Sequence, residues 1–360
     1  MATETTTDSP HERPTPFGAR LHAAVEQRGA FCVGIDPHAA LLHDWGLADD
    51  VAGLERFALT VVEAVAPICS VVKPQSAFYE RFGSRGVAVL ERVIAESRAA
   101  GALVLLDVKR GDIGSTSQAY ADAYLDPTSP LASDAITASP FLGFGSLDPM
   151  VETAERHGAG VFVLALTSNK EGPEVQHALT ADHGDGPSDE RVADRVLSHL
   201  ARLNEGAEPL GSFGAVVGAT IGSTTADLAF NGPVLAPGFG AQGGTVADIK
   251  RIFGAQARHV LPSSSREVLR LGPDVAAMAA LLEQRVPESL HRALVWSGAS
   301  QRRALQPTPV HSHRRGCRAR LRCESLRRLQ RWSYQAPWWP SAPARLTRAT
   351  RQCVLGLVSQ

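Results

Sequence analysis

The segment Ala102–Asp112 reads A-L-V-L-L-D-V-K-R-G-D, an apolar run that leads directly into an acid, a base and a second acid. The apolar part predicts a buried strand, and the two-residue period of a strand places Asp107 and Lys109 on the same side. Asp112 follows a glycine, where the chain can turn. Opposite charges at the end of a buried strand are costly unless they pair or do chemistry, so this strand end is the first candidate site.

Eight short apolar runs, rich in Val, Ile, Leu and Ala, recur along the chain and include this one. They are continuous rather than alternating, which is typical of strands buried on both faces. The runs are Phe31–Ile35, Ile68–Val72, Ala102–Leu106, Ala135–Ala138, Val161–Leu166, Ala215–Ala219, Val234–Ala236 and His259–Leu261. Amphipathic helices are predicted between many of them, at Leu54–Ala66, Gly86–Ala100, Val192–Asn204 and Thr245–Phe253. Thr245 is the expected N-cap of the last helix.

This alternation of strand and helix predicts a parallel sheet covered by helices. Eight such units over about 250 residues are the size of a (β/α)8 TIM barrel. A doubly wound open sheet is the alternative, but no G-x-G-x-x-G follows the first run, which disfavours a dinucleotide-binding version. The long polar connection 170–212 is expected to hold an extra helix and a surface loop.

The composition changes abruptly near residue 285. Residues 286–360 contain fourteen Arg, no Lys, two acids and four of the five Trp of the chain. We therefore expect a polar N-terminal extension at 1–15, a barrel domain at 16–285 and an atypical tail at 286–360. The tail is expected to be disordered or to derive from a frameshift in GC-rich coding sequence.

The sequence also predicts a cytoplasmic protein. No apolar run is long enough for a membrane helix, and the polar N-terminus lacks the apolar core of a signal peptide. The five Cys are an odd number, which gives no paired disulfide framework. Cys32 and Cys69 lie in apolar runs and are expected to be buried thiols.

Charged residues follow the apolar runs, at the edge where barrel enzymes build their active sites. Lys73, Asp107, Lys109 and Asp112 are expected to form an alternating array, in which each ammonium keeps a neighbouring carboxylate ionised. Such an array can face an anionic substrate group and deliver a proton to it. The chain has only four Lys, and two of them lie at these strand ends, which favours a catalytic over a purely structural role.

The last two loops of the predicted barrel favour a phosphate site. The loop Pro237–Gly244 contains four Gly, whose backbone N–H groups can closely approach an anion. Arg266, after the eighth run, adds a planar bidentate donor. Asp36 ends the first run and is either a contact for a substrate hydroxyl or a turn residue before Pro37.

Together these motifs resemble the orotidine 5′-phosphate decarboxylase family, and most closely its longer bacterial subgroup (type 2). The third-strand signature of the family is matched by D-x-K-x-x-D-I-x-x-T, from Asp107 to Thr116. The other family segments follow in order as V-G-I-D-P at 33–37, V-K-P-Q at 72–75, A-S-P-F-L-G at 138–143, P-G-x-G-A-Q-G-G at 237–244 and S-S-R at 264–266. The resemblance covers residues 16–285.

The resemblance implies a (β/α)8 barrel that works as a homodimer without metal or organic cofactor. Its implied reaction converts orotidine 5′-phosphate to UMP and carbon dioxide, the last step of de novo UMP biosynthesis. By the same resemblance, Lys109 protonates C6 of the pyrimidine, and Asp107 lies near the substrate carboxylate. Lys73 and Asp36 are implied to hold the ribose hydroxyls and to join the charged array.

The resemblance also implies contacts farther from the reacting carbon. Asp112, Ile113 and Thr116 are expected to reach the active site of the neighbouring subunit. Ser139 is expected to meet the pyrimidine edge. The 5′-phosphate is expected to bind Gln242, Gly243 and Arg266.

Two other functions stay open at the level of sequence. A metal-dependent sugar-phosphate aldolase or synthase shares the barrel and the third-strand motif, although the P-G-x-G-A-Q loop favours the decarboxylase. A nucleic-acid-binding protein acting through the basic tail is the third hypothesis, and it predicts salt-sensitive binding that disappears without residues 286–360. The leading hypothesis expects no contact with nucleic acid or membrane.

Overall fold

The structure is a computed structural model that describes residues 14–182, 186–240 and 243–285. The predicted tail at 286–360 and almost all of the predicted extension at 1–15 lie outside the described residues, as does Gln242.

Eight of the strands form a closed, all-parallel barrel. In chain order the strands are β1 Cys32–Ile35, β2 Val71–Pro74, β3 Leu103–Arg110, β4 Ala135–Ala138, β5 Gly160–Leu166, β6 Leu179–Asp182, β7 Gly186–Arg191, β8 Phe213–Val217, β9 Val234–Pro237 and β10 Val260–Ser264. The barrel order is β1-β10-β9-β8-β5-β4-β3-β2. Each of the eight predicted runs overlaps one barrel strand. The (β/α)8 barrel is therefore confirmed, and the open doubly wound sheet is excluded.

Helices cover the outside of the barrel and connect its strands. They are α1 Phe17–Arg28, α2 Ala39–Asp44, α3 Val51–Val65, α4 Ala77–Glu80, α5 Ser84–Ala99, α6 Gly114–Leu125, α7 Asp148–His157, α8 Pro173–Gln176, α9 Val192–Leu203, α10 Val246–Phe253, α11 Arg266–Leu269 and α12 Val275–Arg285, with 3-10 turns at Phe144–Leu147 and Gly254–His259. The four predicted amphipathic helices correspond to α3, α5, α9 and α10. Thr245 caps α10 as predicted, since its side chain accepts from the Asp248 backbone and the Asp248 carboxylate accepts from Thr245 in return.

The connection 170–212 holds more structure than the sequence indicated. It contains the predicted helix, α9, together with the short helix α8. Between them, β6 and β7 pair antiparallel as a separate two-stranded hairpin. The hairpin escaped prediction because its strands are short and largely polar, so no hydrophobic alternation marks them.

The two faces of β3 explain how the site is positioned. Val104, Leu106 and Val108 point outward into the core between strands and helices. Leu105 points into the barrel interior, where it packs in one layer with inward residues of the other strands. The two-residue period therefore carries Asp107 and Lys109 along the inner face, above the Leu105 layer and toward the carboxyl end of the barrel.

Helix α1 covers the opposite, amino-terminal end of the barrel. Phe17 and Leu21 are buried in the interior cluster, and the Phe17 ring meets that of Phe162 edge to face, with 5.9 Å between centroids. The Gly18 backbone N–H donates to Ser212 Oγ at 3.0 Å. With this end closed by apolar packing, the interior opens only toward the charged end among the described residues.

A buried carboxylate fastens α1 to the barrel. Asp134 accepts from Arg20 Nη1 at 2.5 Å, Arg98 Nε at 3.1 Å and the Val104 backbone N–H at 2.9 Å. Burial alone would raise the pKa of Asp134, but the two guanidinium groups and the backbone donor outweigh it and hold this pKa below its ordinary value.

We expect Asp134→Ala to lower the free energy of unfolding by about 3–5 kcal/mol, because it leaves two guanidinium groups and a buried N–H without their acceptor. Urea denaturation followed by circular dichroism measures the change. The control is Asp44→Ala, which removes an exposed carboxylate at the end of α2. Equal stability of the two variants would contradict a fastening role for Asp134.

Both cysteines predicted to be buried are buried free thiols. Burial raises the pKa of Cys32 to about 12, so this thiol stays protonated in the barrel interior at neutral pH. Within the ranges the structure covers, no helix combines the length and apolar character needed to cross a membrane.

Candidate active site

A cavity of about 480 Å³ opens at the carboxyl ends of the barrel strands. Its floor is apolar, formed by inward side chains of β5, β8 and β9, and its rim is polar. The lining residues are Lys73, Gln75, Asp107, Lys109, Thr137, Leu164, Thr167, Ser168, Asn169, Gln176, Val216, Gly218, Leu235 and Pro237. A cavity of this size can enclose a small organic molecule, with its polar groups toward the rim.

Asp107 is the centre of the charged group in this cavity. Its Oδ2 lies 3.1 Å from Lys73 Nζ and accepts from Gln75 Nε2 at 3.0 Å. Its Oδ1 lies 2.5 Å from Lys109 Nζ and accepts from Thr137 Oγ1 at 2.8 Å. Four donors therefore fix one carboxylate, and the three charged residues alternate as base, acid, base.

The array stays ionised despite its burial. Burial would lower the pKa of Lys73, but the carboxylates of Asp107 and Asp36 outweigh it and raise this pKa above its ordinary value. Burial would likewise raise the pKa of Asp107, but the charges of Lys73 and Lys109 hold it well below its usual range. The cavity therefore carries a fixed pattern of charge at neutral pH.

The two ammonium groups differ in their access to the cavity. The Lys73 side chain is 9% exposed, whereas that of Lys109 is 46% exposed. Both ammonium groups line the cavity, but Lys109 is the more accessible of the two, and Lys73 is the buried counter-charge that anchors Asp107. This division matches a proton donor beside a fixed electrostatic support.

Lys109 has an unusual backbone conformation, with φ of 45°. A lysine in this left-handed region costs about 1–3 kcal/mol and persists only where its surroundings hold it. Here the Lys109 backbone N–H donates to Thr137 Oγ1 at 2.9 Å, and the pairing of β3 with β4 shifts register between Leu106 and Arg110. The strain lies at the residue that faces the cavity.

A second, smaller cavity of about 110 Å³ lies at the ends of β1, β9 and β10. Its lining residues are Asp36, His38, Pro237, Gly238, Phe239, Ser263, Ser264, Ser265 and Arg266. Three buried oxygens here, Asp36 Oδ1, Ser264 Oγ and Ser265 Oγ, have no hydrogen-bond partner among the described residues. Unpaired buried polar atoms beside an exposed guanidinium suit a polar, anionic ligand group.

The Gly-rich loop borders this small cavity as the sequence predicted. Gly238 has φ of 95° and Gly243 has φ of 90°, a conformation that favours glycine. The Gly243 N–H donates to the Gly240 carbonyl at 2.8 Å, which folds the loop back on itself. Gln242 lies outside the described residues, so its predicted phosphate contact stays a prediction.

The predicted partner-site residues lie on the loop after β3. Asp112 Oδ1 accepts from the Ile113 backbone N–H at 2.8 Å, so the described contact of this carboxylate is local rather than with the Lys73–Asp107–Lys109 group. Ile113 is 62% exposed, and Thr116 is exposed in the first turn of α6. None of these three residues lines the main cavity of its own barrel.

Ser139 lies apart from the Asp107 cavity. It lines an adjoining cavity of about 370 Å³ together with Phe141, Val175 and Val196. The two cavities share Leu164, Asn169 and Gln176 as a common wall. The predicted contact of Ser139 with the pyrimidine edge stays a prediction.

Several lining residues were assigned no role from the sequence. Thr167, Ser168 and Asn169 follow β5 and line the main cavity. Their place after a predicted strand was the available signal. Gln75 lies two residues after Lys73, and the polar Thr137 interrupts an otherwise apolar strand, so the strand period could have assigned both to the inner face.

Comparisons with known proteins agree with this geometry. The family model described as "Orotidine 5'-phosphate decarboxylase / HUMPS family" matches residues 29–281. The orotidine 5′-phosphate decarboxylase of Nocardioides sp. strain JS614 is 79% identical over 261 residues, covering 72% of this chain and 94% of that protein. The enzyme of that name from Streptomyces coelicolor is 64% identical over 264 residues, covering 73% and 93% respectively.

A solved structure has a similar fold. The crystal structure of a Streptomyces avermitilis protein, provisionally described as an orotidine 5′-phosphate decarboxylase, superposes with a TM-score of 0.75. That protein is 60% identical, and the match covers 80% of this chain and 99% of the other.

Proposed function

The chain belongs to the orotidine 5′-phosphate decarboxylase / HUMPS family, and from that membership we propose how its residues carry out the reaction. It is a carboxy-lyase that converts orotidine 5′-phosphate to UMP and carbon dioxide. The comparisons do not support a sugar-phosphate aldolase or a nucleic-acid-binding protein. The observation that carries the proposed mechanism is the Lys73–Asp107–Lys109 array in the main cavity.

Lys109 stabilises and then protonates C6 in this proposal. Loss of carbon dioxide leaves an electron pair at C6 that the ring cannot delocalise as an ordinary enolate. The ammonium of Lys109 is the accessible positive charge of the array, so it offsets the developing negative charge. It then transfers a proton to C6, and solvent restores the ammonium.

Asp107 and Lys73 set the electrostatic pattern around the departing group. Asp107 stays ionised, holds Lys109 in place and lies near the substrate carboxylate. Lys73 is buried beneath it and balances its charge. Lys73 and Asp36 are also assigned to the ribose hydroxyls, which would supply a hydrogen-bond partner for the unpaired Asp36 oxygen.

The remaining substrate groups are assigned to the neighbouring walls. The hydroxyl and amide groups of Ser168 and Asn169 line the main cavity and can meet the polar edge of the pyrimidine. The 5′-phosphate is assigned to the small cavity, where Arg266 is its donor and the unpaired Ser264 and Ser265 hydroxyls lie beside it. Gln242 and Gly243 are assigned to the phosphate by the family resemblance alone. Binding energy from the phosphate helps to order the site around C6.

We expect Arg266→Ala to raise KM for orotidine 5′-phosphate about 10- to 100-fold, because a charge-assisted bidentate contact to phosphate is lost. The kcat should change less, since the array is intact. Arg270→Ala removes a nearby exposed guanidinium and serves as the control. An unchanged KM in Arg266→Ala would contradict the assignment of Arg266 to the phosphate site.

We also propose that the protein works as a homodimer, with Asp112, Ile113 and Thr116 reaching the partner subunit's site. Ile113, Phe141 and Leu142 are 62%, 75% and 52% exposed on the loops after β3 and β4. Large apolar side chains exposed on adjacent loops favour a surface that a second subunit covers. Light scattering on the purified protein measures its oligomeric state.

The domain division and location are further proposals. Residues 16–285 form the barrel domain, 1–15 are an extension, and 286–360 are an atypical tail of frameshift origin. The family match ends at residue 281, and the match to the Nocardioides relative spans 261 residues, which cover 94% of that protein. Sequencing the 3′ end of the gene tests whether the tail derives from a frameshift. A cytoplasmic location is supported by the two buried, reduced thiols.

The direct test of function is turnover. Purified protein is incubated with orotidine 5′-phosphate, the pyrimidine absorbance is followed, and UMP is identified by chromatography. Conversion to UMP supports the proposal. If folded protein leaves orotidine 5′-phosphate unconverted, the proposal is contradicted.

A further inference from the structure

The strained backbone at Lys109 is held by groups outside the cavity. The peptide units on either side of Val108 lead into the positive φ of Lys109, so their orientation decides where its ammonium lies. The Asp107 carbonyl accepts from the Ser76 backbone N–H at 3.2 Å, and the Val108 carbonyl accepts from Arg110 Nη1 at 3.1 Å. Both carbonyls before Lys109 are therefore held by groups that do not line the cavity.

Arg110 is the residue that connects these contacts. Its guanidinium turns away from the cavity, and Arg110 is absent from the cavity lining. While Nη1 donates to the Val108 carbonyl, Nη2 donates to Glu80 Oε1 at 2.6 Å and to Tyr124 Oη at 3.2 Å. The same guanidinium lies 5.5 Å and 5.8 Å from the ring centroids of Tyr120 and Tyr124.

Glu80 closes the network onto the other carbonyl. Its Oε1 also accepts from Ser76 Oγ at 2.5 Å, and Ser76 is the residue whose N–H holds the Asp107 carbonyl. A continuous chain of contacts thus runs from the Asp107 carbonyl through Ser76, Glu80 and Arg110 to the Val108 carbonyl. It spans the loop after β2, the helix α4 and the end of β3, and Tyr120 and Tyr124 of α6 contact its arginine.

We propose that Arg110, braced by Glu80, is a positioning residue that holds Lys109 in its left-handed conformation against Asp107. This inference rests on the proposed role of Lys109. Arg110 does not line the cavity, so it does not contact a substrate bound there. Its loss should let the Lys109 backbone relax toward an ordinary conformation and move the ammonium away from C6, while the binding groups elsewhere in the cavity stay in place.

The test is Arg110→Ala, compared with Arg85→Ala, which removes an exposed guanidinium on α5. We expect kcat to fall about 10²-fold, the effect of a small misplacement of a reacting group, with UMP affinity unchanged. Guanidinium chloride, far below denaturing concentrations, should partly restore kcat by occupying the vacated place between Glu80 and the two tyrosines. Sodium chloride at the same concentration should not.

Glu80→Gln provides a second variant that keeps the arginine, and we expect it to lower kcat with UMP affinity unchanged. Folding of every variant is checked by thermal unfolding. Wild-type kcat in both variants, or UMP affinity that falls in step with kcat, would overturn the positioning role, as would failure of guanidinium to restore a folded Arg110→Ala. Wild type and Lys109→Ala are assayed in parallel: an active Lys109→Ala contradicts the proposed mechanism itself, independently of the Arg110 result.

Discussion

Lys109→Ala is expected to lower kcat for decarboxylation by about 10⁴-fold, because the variant lacks both the charge that stabilises the C6 electron pair and the acid that protonates it. The loss should appear in kcat rather than in KM, since the phosphate contacts proposed for Arg266 and the Gly-rich loop do not involve this lysine. Steady-state kinetics with orotidine 5′-phosphate measures both parameters.

The matched control is Lys170→Ala, which removes a fully accessible ammonium on the loop after β5. That variant should keep wild-type kcat. If Lys109→Ala retained comparable activity, Lys109 would not be the proton donor and the proposed mechanism would fail.

Asp107→Asn is expected to affect activity and stability together. The change keeps the shape of the side chain but leaves the buried Lys73 ammonium and Lys109 without their shared counter-charge. We expect kcat to fall about 10²- to 10³-fold. The free energy of unfolding should fall by about 3–5 kcal/mol, as is usual when one partner of a buried ion pair is removed.

The stability effect has a definite dependence on pH. In wild type, the raised pKa of Lys73 contributes stability that is present below its unfolded value and lost as pH rises through its folded value. The lowered pKa of Asp107 contributes stability that is present above its unfolded value and lost as pH falls through its folded value. The ion pair therefore contributes fully between about pH 5 and pH 9.

In Asp107→Asn the main charge that raised the pKa of Lys73 is gone, so burial dominates and lowers this pKa in the folded state. Deprotonation then favours folding, and the stability deficit of the variant should shrink as pH rises from neutral toward 9. Urea denaturation at several pH values measures this trend, with Asp44→Asn as the exposed control. A deficit that is independent of pH would contradict the assignment of Lys73 as the stranded charge.

The inner face of β3 shows why so much of the site could be predicted from sequence. Continuous apolar runs set the eight strands, and the two-residue period then requires Leu105, Asp107 and Lys109 to share the inner face. Because parallel strands of a barrel end at one rim, Lys73 had to approach Asp107. The strand period and the closed barrel were therefore sufficient to predict that Lys73, Asp107 and Lys109 lie together.

Other features depend on contacts between residues far apart in sequence. The positive φ of Lys109 is not encoded by a glycine, and it arises where the Thr137 hydroxyl and the Arg110 network hold the backbone. The separation of Ser139 from the Asp107 cavity depends on how the loops after β4 and β5 pack, which no periodicity reports. The polar hairpin β6–β7 likewise lacks a hydrophobic signal.

The central claim is that this barrel removes the carboxyl group of orotidine 5′-phosphate and delivers a proton to C6 from an exchangeable acid. The most direct measurement is wild-type turnover in deuterium oxide, with the product analysed by mass spectrometry and proton NMR. The half-exposed Lys109 ammonium exchanges with solvent, so the UMP formed should carry deuterium at C6. Absence of UMP, or UMP with ordinary hydrogen at C6, would contradict the claim.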